Sequence, residues 1–148
     1  MRVRKVWDFT VESPMSPEKV LAGVTDFSER RPDQWPAISR QQYRVHELGP
    51  TSAHVREGTG PMWTDERYDW SDPGRIHSVI QQSNLFFPGG VWECRVKPGA
   101  AGGSLIEVHM ERDYKGVMGA LGSMYITLRG GANLFRTDFL SMLDSVAR

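Results

Sequence analysis

Glu57, Glu66 and Tyr68 are the side chains in this chain whose types and spacing could do acid–base chemistry. The two glutamates fall on successive strand-like segments, about 52–58 and 63–71, whose alternation turns both inward. Tyr68 lies two residues beyond Glu66 and shares its face. Ser78, Gln82 and Tyr125 can lie on the same wall. A carboxyl group buried without a partner is costly, so its pKa rises or it finds a cation. A raised pKa suits a general acid or base near neutral pH. Two such carboxyls beside tyrosines could enolise a polyketone chain, close a ring by aldol chemistry or dehydrate the product. The bland alternative is an ion pair of either glutamate with Arg56 or Arg67.

Other chemistries find little support. His46, His54, His77 and His109 fall on four separate strand segments without a short-range pair, so no metal site is expected. No Ser-His-Asp grouping stands out, and the glycine pairs lack phosphate-loop spacing, so no cofactor is expected. The one cysteine, Cys94, sits mid-strand between Trp92 and Val96 and reads as packing rather than as a nucleophile. Lysine plus arginine and aspartate plus glutamate number 18 each, without a block of one sign. That balance argues against a nucleic-acid footprint or a basic membrane anchor. No segment reads as a signal peptide or is long enough to span a bilayer, so the expected location is cytoplasmic. The expected partner is a small hydrophobic molecule, and the expected state a monomer or weak homodimer.

These side chains need elements to position them. Leu121, Tyr125, Leu128, Ala132, Phe135, Phe139, Met142 and Val146 recur at alternating steps of four and three, which predicts one long C-terminal helix with an apolar stripe. Gly130 and Gly131 lie within it, so it either bends or packs closely on a tryptophan. Residues 3–12 alternate as a first strand, with Trp7, Phe9 and Val11 on one face. Ser16 and Pro17 open a short helix over 17–25, and Ser28 can cap a second, kept short by Pro32 and Pro36. Six strand segments follow at about 42–48, 52–58, 63–71, 75–83, 90–97 and 104–112, separated by short turns that imply antiparallel hairpins. A single domain over 1–148 is expected.

A turn at Asp72-Pro73-Gly74 would pair Trp70 with Ile76, Tyr68 with Ser78, Glu66 with Ile80 and Thr64 with Gln82. This set is the less polar and should face inward. Trp92, Cys94 and Val96 should share a face with Met110, Val108 and Ile106. One bulge would invert part of this facing.

In a meander, loops alternate between the two ends of the sheet. One end carries small or tight turns. The other carries Met62-Trp63, Leu85-Phe86-Phe87 and Val117-Met118 beside glycines. Such loops suit the rim of a pocket for a hydrophobic ligand, gated by Trp63, Phe87 and Met118. The alternatives are that they plug the core, form a dimer contact, or make this end a protein-interaction module. The predicted lining is Trp63, Trp70, Ile80, Gln82, Phe86 and Phe87 from the strands and loops. Trp92, Met110, Met118, Leu121, Tyr125 and Leu128 complete it.

The order of strand, two short helices, six-stranded meander and long helix resembles the helix-grip fold. That α+β architecture is shared by the START, birch-pollen-allergen and polyketide cyclase/dehydrase (SRPBCC) superfamily. The resemblance is carried by Val11-Glu12-Ser13-Pro14 leading into Ser16-Pro17-Glu18-Lys19-Val20, by Thr25-Asp26-Phe27 and Trp35-Pro36, by Trp70 to Ile76, and by Tyr114-Lys115-Gly116. It implies a seven-stranded antiparallel sheet closed on a C-terminal helix around a ligand cavity. The superfamily includes lipid carriers and aromatase/cyclases that work in such a pocket. Fold does not fix function. The iron–sulfur ligands of its ring-hydroxylating branch are not available from one cysteine.

Overall fold

Alternating burial along each extended segment builds one antiparallel sheet. The computed structural model describes residues 1–148. Its strands are β1 (Arg2–Ser13), β2 (Arg44–Leu48), β3 (Ser52–Thr59), β4 (Met62–Asp69), β5 (Arg75–Ser83), β6 (Val91–Pro98) and β7 (Ser104–Lys115). They lie in the order β1-β7-β6-β5-β4-β3-β2, a meander with the first strand returned beside the last. Two short helices, α1 (Pro17–Val24) and α2 (Arg31–Gln34), link β1 to β2, and α3 (Gly116–Leu128) and α4 (Ala132–Ala147) end the chain. This is the helix-grip architecture.

Local chemistry accounts for most boundaries. The Ser16 hydroxyl accepts the Lys19 N–H at the start of α1, with Pro17 as its first residue. The second short helix starts at Arg31 without a side-chain cap. Ser28 instead accepts the Arg30 N–H within the preceding turn. Strand β7 runs three residues further than predicted and pairs with all of β1, from Arg2 opposite Lys115 to Ser13 opposite Ser104. Its register with β6 places Trp92, Cys94 and Val96 opposite Met110, Val108 and Ile106, as expected. Phe9, Val11, Val20, Val24, Ile106, Val108, Phe139 and Met142 form the centre of the core. Phe139 meets Phe9 and Trp35 edge-on.

The ladder between β4 and β5 departs from a simple turn-set register. Tyr68 faces Ser78 and Glu66 faces Ile80, but Asp65 then faces Gln82 and Thr64 faces Ser83. The extra residue, Gln81, shifts all that follows. Gln82, expected inside, is exposed and donates to Asp65 at 3.0 Å.

The C-terminal helix is two helices. The chain breaks at Gly130 (φ 116°) and Gly131 (φ 59°), both in the left-handed half of backbone space. A Cβ on Gly131 would stand 2.7 Å from Cζ3 of Trp7, so both physical reasons considered for these glycines operate at once. Only the second half of the predicted stripe reaches the core. Phe139 and Met142 are buried, whereas Leu121, Tyr125 and Leu128 are exposed.

Gly131→Ala should therefore lower unfolding free energy by about 2–3 kcal/mol. Gly122→Ala sits in regular helix, where the new methyl would meet Leu85 Cδ1 at 3.5 Å. It should raise stability by up to about 1 kcal/mol. Urea unfolding compares the two, and a Gly131→Ala protein as stable as the parent would remove the steric account.

Candidate functional site

The inward parity of β3 buries Ala53, Val55 and Glu57, and that of β4 buries Glu66 and Tyr68. Val55 pairs with Glu66 and Glu57 with Thr64, so the two carboxyls are diagonal neighbours on one face. The Tyr68 hydroxyl donates to Glu57 and lies 3.2 Å from Glu66 Oε2. These three side chains, expected together, meet in the interior.

Their cations come from elsewhere than expected. Arg56 lies on the opposite face and takes Asp65 in a bidentate pair, at 2.9 and 3.0 Å. Arg31, from α2, donates its Nε to Glu57 at 2.5 Å and its Nη1 to the Val24 carbonyl at 2.7 Å. Its guanidinium stacks 4.2 Å above the Phe27 ring. Arg112, from β7, holds the Val91 carbonyl at 2.9 Å and approaches Glu66 at 3.5 Å. Arg112 shares the inward parity of Ile106, Val108 and Met110, so the alternation already pointed to it. Arg31 had no such signal, because its four-residue helix is too short to show a periodicity.

Electrostatics separate the two glutamates. Burial alone would raise the pKa of Glu57, but Arg31 outweighs it and holds the carboxyl below its usual range. Glu66 is pushed up to about 8 by burial and by the negative charge of Glu57, against the weaker pull of Arg112. Burial keeps the Tyr68 phenol well above its ordinary range, so it serves as a neutral donor. One ionised carboxyl, one protonated carboxyl and two guanidiniums thus share a small volume.

Asp138, on α4, joins them and was not singled out from the sequence. It follows Phe135 by three residues and precedes Met142 by four, at the edge of the apolar stripe. Its Oδ1 accepts the Ala37 N–H at 2.9 Å. Burial raises its pKa to about 6, opposed by that bond and by Arg31.

Two adjoining chambers surround this cluster. The inner one, about 170 Å³, is lined by Glu57, Glu66, Tyr68, Arg31, Arg112, Trp35, Trp92 and Met110 among others. The indole N–H of Trp35 is buried without a partner. The outer one, about 490 Å³, is mainly apolar and is walled by Met62, Leu85, Phe86, Tyr114, Tyr125, Ile126 and Leu134. Ala37, Phe135 and Asp138 border both. Of the predicted lining residues, Phe86, Trp92, Met110 and Tyr125 lie on these walls. Trp63 is turned to the outer face of the sheet under Arg56, 3.8 Å from its ring centre. Phe87 lies under Arg2, Trp70 stacks on Phe27, and Ile80 is buried in the sheet. Met118, Leu121 and Leu128 are exposed on α3, and none of these seven borders either chamber. No group of His, Cys, Asp and Glu side chains is spaced to hold a metal ion.

A sheet gripping a helix over a partly polar cavity is a START-like fold. Residues 6–147 match the model of the polyketide cyclase/dehydrase and lipid transport family, and the chain belongs to that family. Among solved structures, it is similar to an aromatase/cyclase of a Streptomyces species, with TM-score 0.73 and 13% identity over 99% of this chain and 95% of that one. It is also similar to norcoclaurine synthase of Thalictrum flavum, with TM-score 0.71 and 12% identity over 99% and 88%. A START superfamily protein of Mycobacterium smegmatis gives TM-score 0.64 and 18% identity over 91% and 98%. At these identities the likeness is one of fold. No curated protein matches the sequence.

Removing Arg31 leaves Glu57 charged, buried and unpaired, so Arg31→Met should cost about 3–5 kcal/mol. Glu66 generates a pH dependence. Between its ordinary value of 4.5 and about 8, the folded protein keeps a proton that the unfolded chain has released. Its contribution to stability is full below the lower value and is lost as pH rises through this window. Glu66→Gln should flatten the fall, leaving stability near pH 5 little changed and raising it near pH 8 relative to the parent. Urea unfolding across that range tests this, and parallel curves for the two proteins would refute it.

Proposed function

We propose that the protein binds an amphiphilic small molecule whose apolar, aromatic or polyketide-like body fills the outer chamber and whose oxygen-bearing head enters the inner one. The observation that carries this reading is the adjoining of an apolar chamber of about 490 Å³ to a buried acid–guanidinium cluster. Ligand sites combine this much apolar wall with a few fixed polar groups. A hydroxyl or carbonyl head would find donors in Arg31, Arg112 and protonated Glu66, and acceptors in Glu57 and Asp138. The same fold holds dopamine and hydroxybenzaldehyde in norcoclaurine synthase, which supports an oxygenated aromatic.

Fluorescence titration with 2-naphthol, an aromatic body with one hydroxyl, tests the assignment. Leu134→Trp, which fills part of the outer chamber, should weaken binding about tenfold or more. Equal affinity in the variant and the parent would sink the reading. Native mass spectrometry of freshly purified protein should also show a captured mass that the variant lacks.

Acid–base catalysis on such a ligand is the second reading, favoured by the protonated Glu66 beside ionised Glu57. Asp138, with a pKa near neutrality, can take a proton from the carbon next to a carbonyl, while Glu66 gives one to the carbonyl oxygen. The resulting enol is the nucleophile for an intramolecular aldol closure. In a poly-β-ketone cyclisation assay, Glu66→Gln and Asp138→Asn should each slow turnover about a hundredfold or more while 2-naphthol affinity is retained. Parent-like turnover in both variants would rule this chemistry out.

A further inference from the structure

Helix α3 has no charged residue along its length, Gly116–Leu128. Only Gly119 and Ser123 are buried, and Val117, Met118, Leu121, Met124, Tyr125 and Leu128 are all exposed. Six of the eleven large exposed apolar side chains of the molecule therefore lie on this one helix. A helix that is apolar on every side calls for a cover.

The surrounding charge indicates what kind. From residue 114 to 137 the charged side chains are Lys115, Arg129 and Arg136, with no aspartate or glutamate. Arg2 stands opposite Lys115 in the β1–β7 ladder, beside the start of α3. Arg2, Lys115 and Arg129 form no ion pair: Lys115 Nζ donates to the Ser83 carbonyl at 2.6 Å, and Arg2 and Arg129 lie against the rings of Phe87 and Tyr125. The zero net charge of the whole chain conceals this one-signed frame. A two-fold dimer through α3 would set these cations against their own copies, whereas a layer of anionic headgroups would complement them.

We propose that α3 docks the protein onto a bilayer surface containing anionic lipids. Met118, Leu121 and Leu128 enter the boundary between headgroups and acyl chains, Arg2 and Arg129 meet lipid phosphates, and Lys115 adds its charge from beneath them. Gly122, Tyr125 and Ile126 of the same helix wall the outer chamber, so docking places that chamber against the lipid. This docking face does not depend on what fills the chamber.

Flotation with vesicles tests it. The protein should float with mixed phosphatidylcholine–phosphatidylglycerol vesicles at low salt, and at least about tenfold less with phosphatidylcholine alone or at high salt. Because the replaced side chains are exposed, a Met118→Asp, Leu121→Asp, Leu128→Asp protein should fold, as its thermal melt will report, and lose flotation. Arg2→Glu combined with Arg129→Glu should reduce flotation without altering the melt. Failure of the parent to float with anionic vesicles overturns the proposal. So does light scattering that shows a dimer abolished by the aspartate substitutions, which would assign the face to a second copy.

Discussion

The buried pair of Arg31 and Glu57 is the constraint around which the interior is arranged. Arg31 enters from a four-residue helix, reaches a carboxyl on β3, and at the same time satisfies the carbonyl closing α1. Its guanidinium lies against Phe27, Trp35 and Tyr68, so three rings pack on a charge. An arrangement of this kind gives little net stability over an apolar one. The stretch between α1 and β2 has no ladder of its own, and the ion pair ties it to β3.

Fixing Glu57 as the anion decides the state of its neighbour. Two carboxyls at diagonal positions in low dielectric do not both ionise readily. The one with the strong guanidinium contact keeps the charge, and Glu66, with only a long contact to Arg112, keeps the proton. The distinction arises from α2 and β7, not from β3 and β4, on which the two acids sit. Chemistry in the inner chamber thus depends on elements at opposite ends of the chain. Asp138 adds a third such element, tied by the Ala37 N–H to the loop that follows α2.

Much of this was legible in the sequence wherever periodicity is strict. The pairing of β6 with β7, the inward set Trp92, Cys94 and Val96, and the meeting of Glu57, Glu66 and Tyr68 follow from alternation and short turns. Three features escaped for distinct reasons. Gln81 adds one residue to β5, and the period-two argument reverses beyond it, which put Gln82 on the wrong side. The spacing of Leu121, Tyr125 and Leu128 fits a stripe that continues into α4, but a spacing cannot report the turn at Gly130 and Gly131 that rotates the earlier half away from the core. Arg31 lies in an aperiodic segment, where nothing local marks a buried cation. Its counterpart Arg112 follows from parity alone, one step beyond Met110 on the inward face of β7.

The break between α3 and α4 divides the C-terminal segment into two parts of unequal cohesion. Helix α4 brings Phe139, Met142 and Leu143 into the centre of the molecule, so releasing it exposes the core and amounts to global unfolding. Helix α3 buries no large side chain of its own, so its detachment leaves the central core covered. Amide protection should therefore step upward across Gly130 and Gly131, with α3 exchanging through local openings while β7 and α4 stay closed. The outer chamber is thus roofed by a helix that buries no large side chain, and an opening there would leave in place the elements that hold the acids.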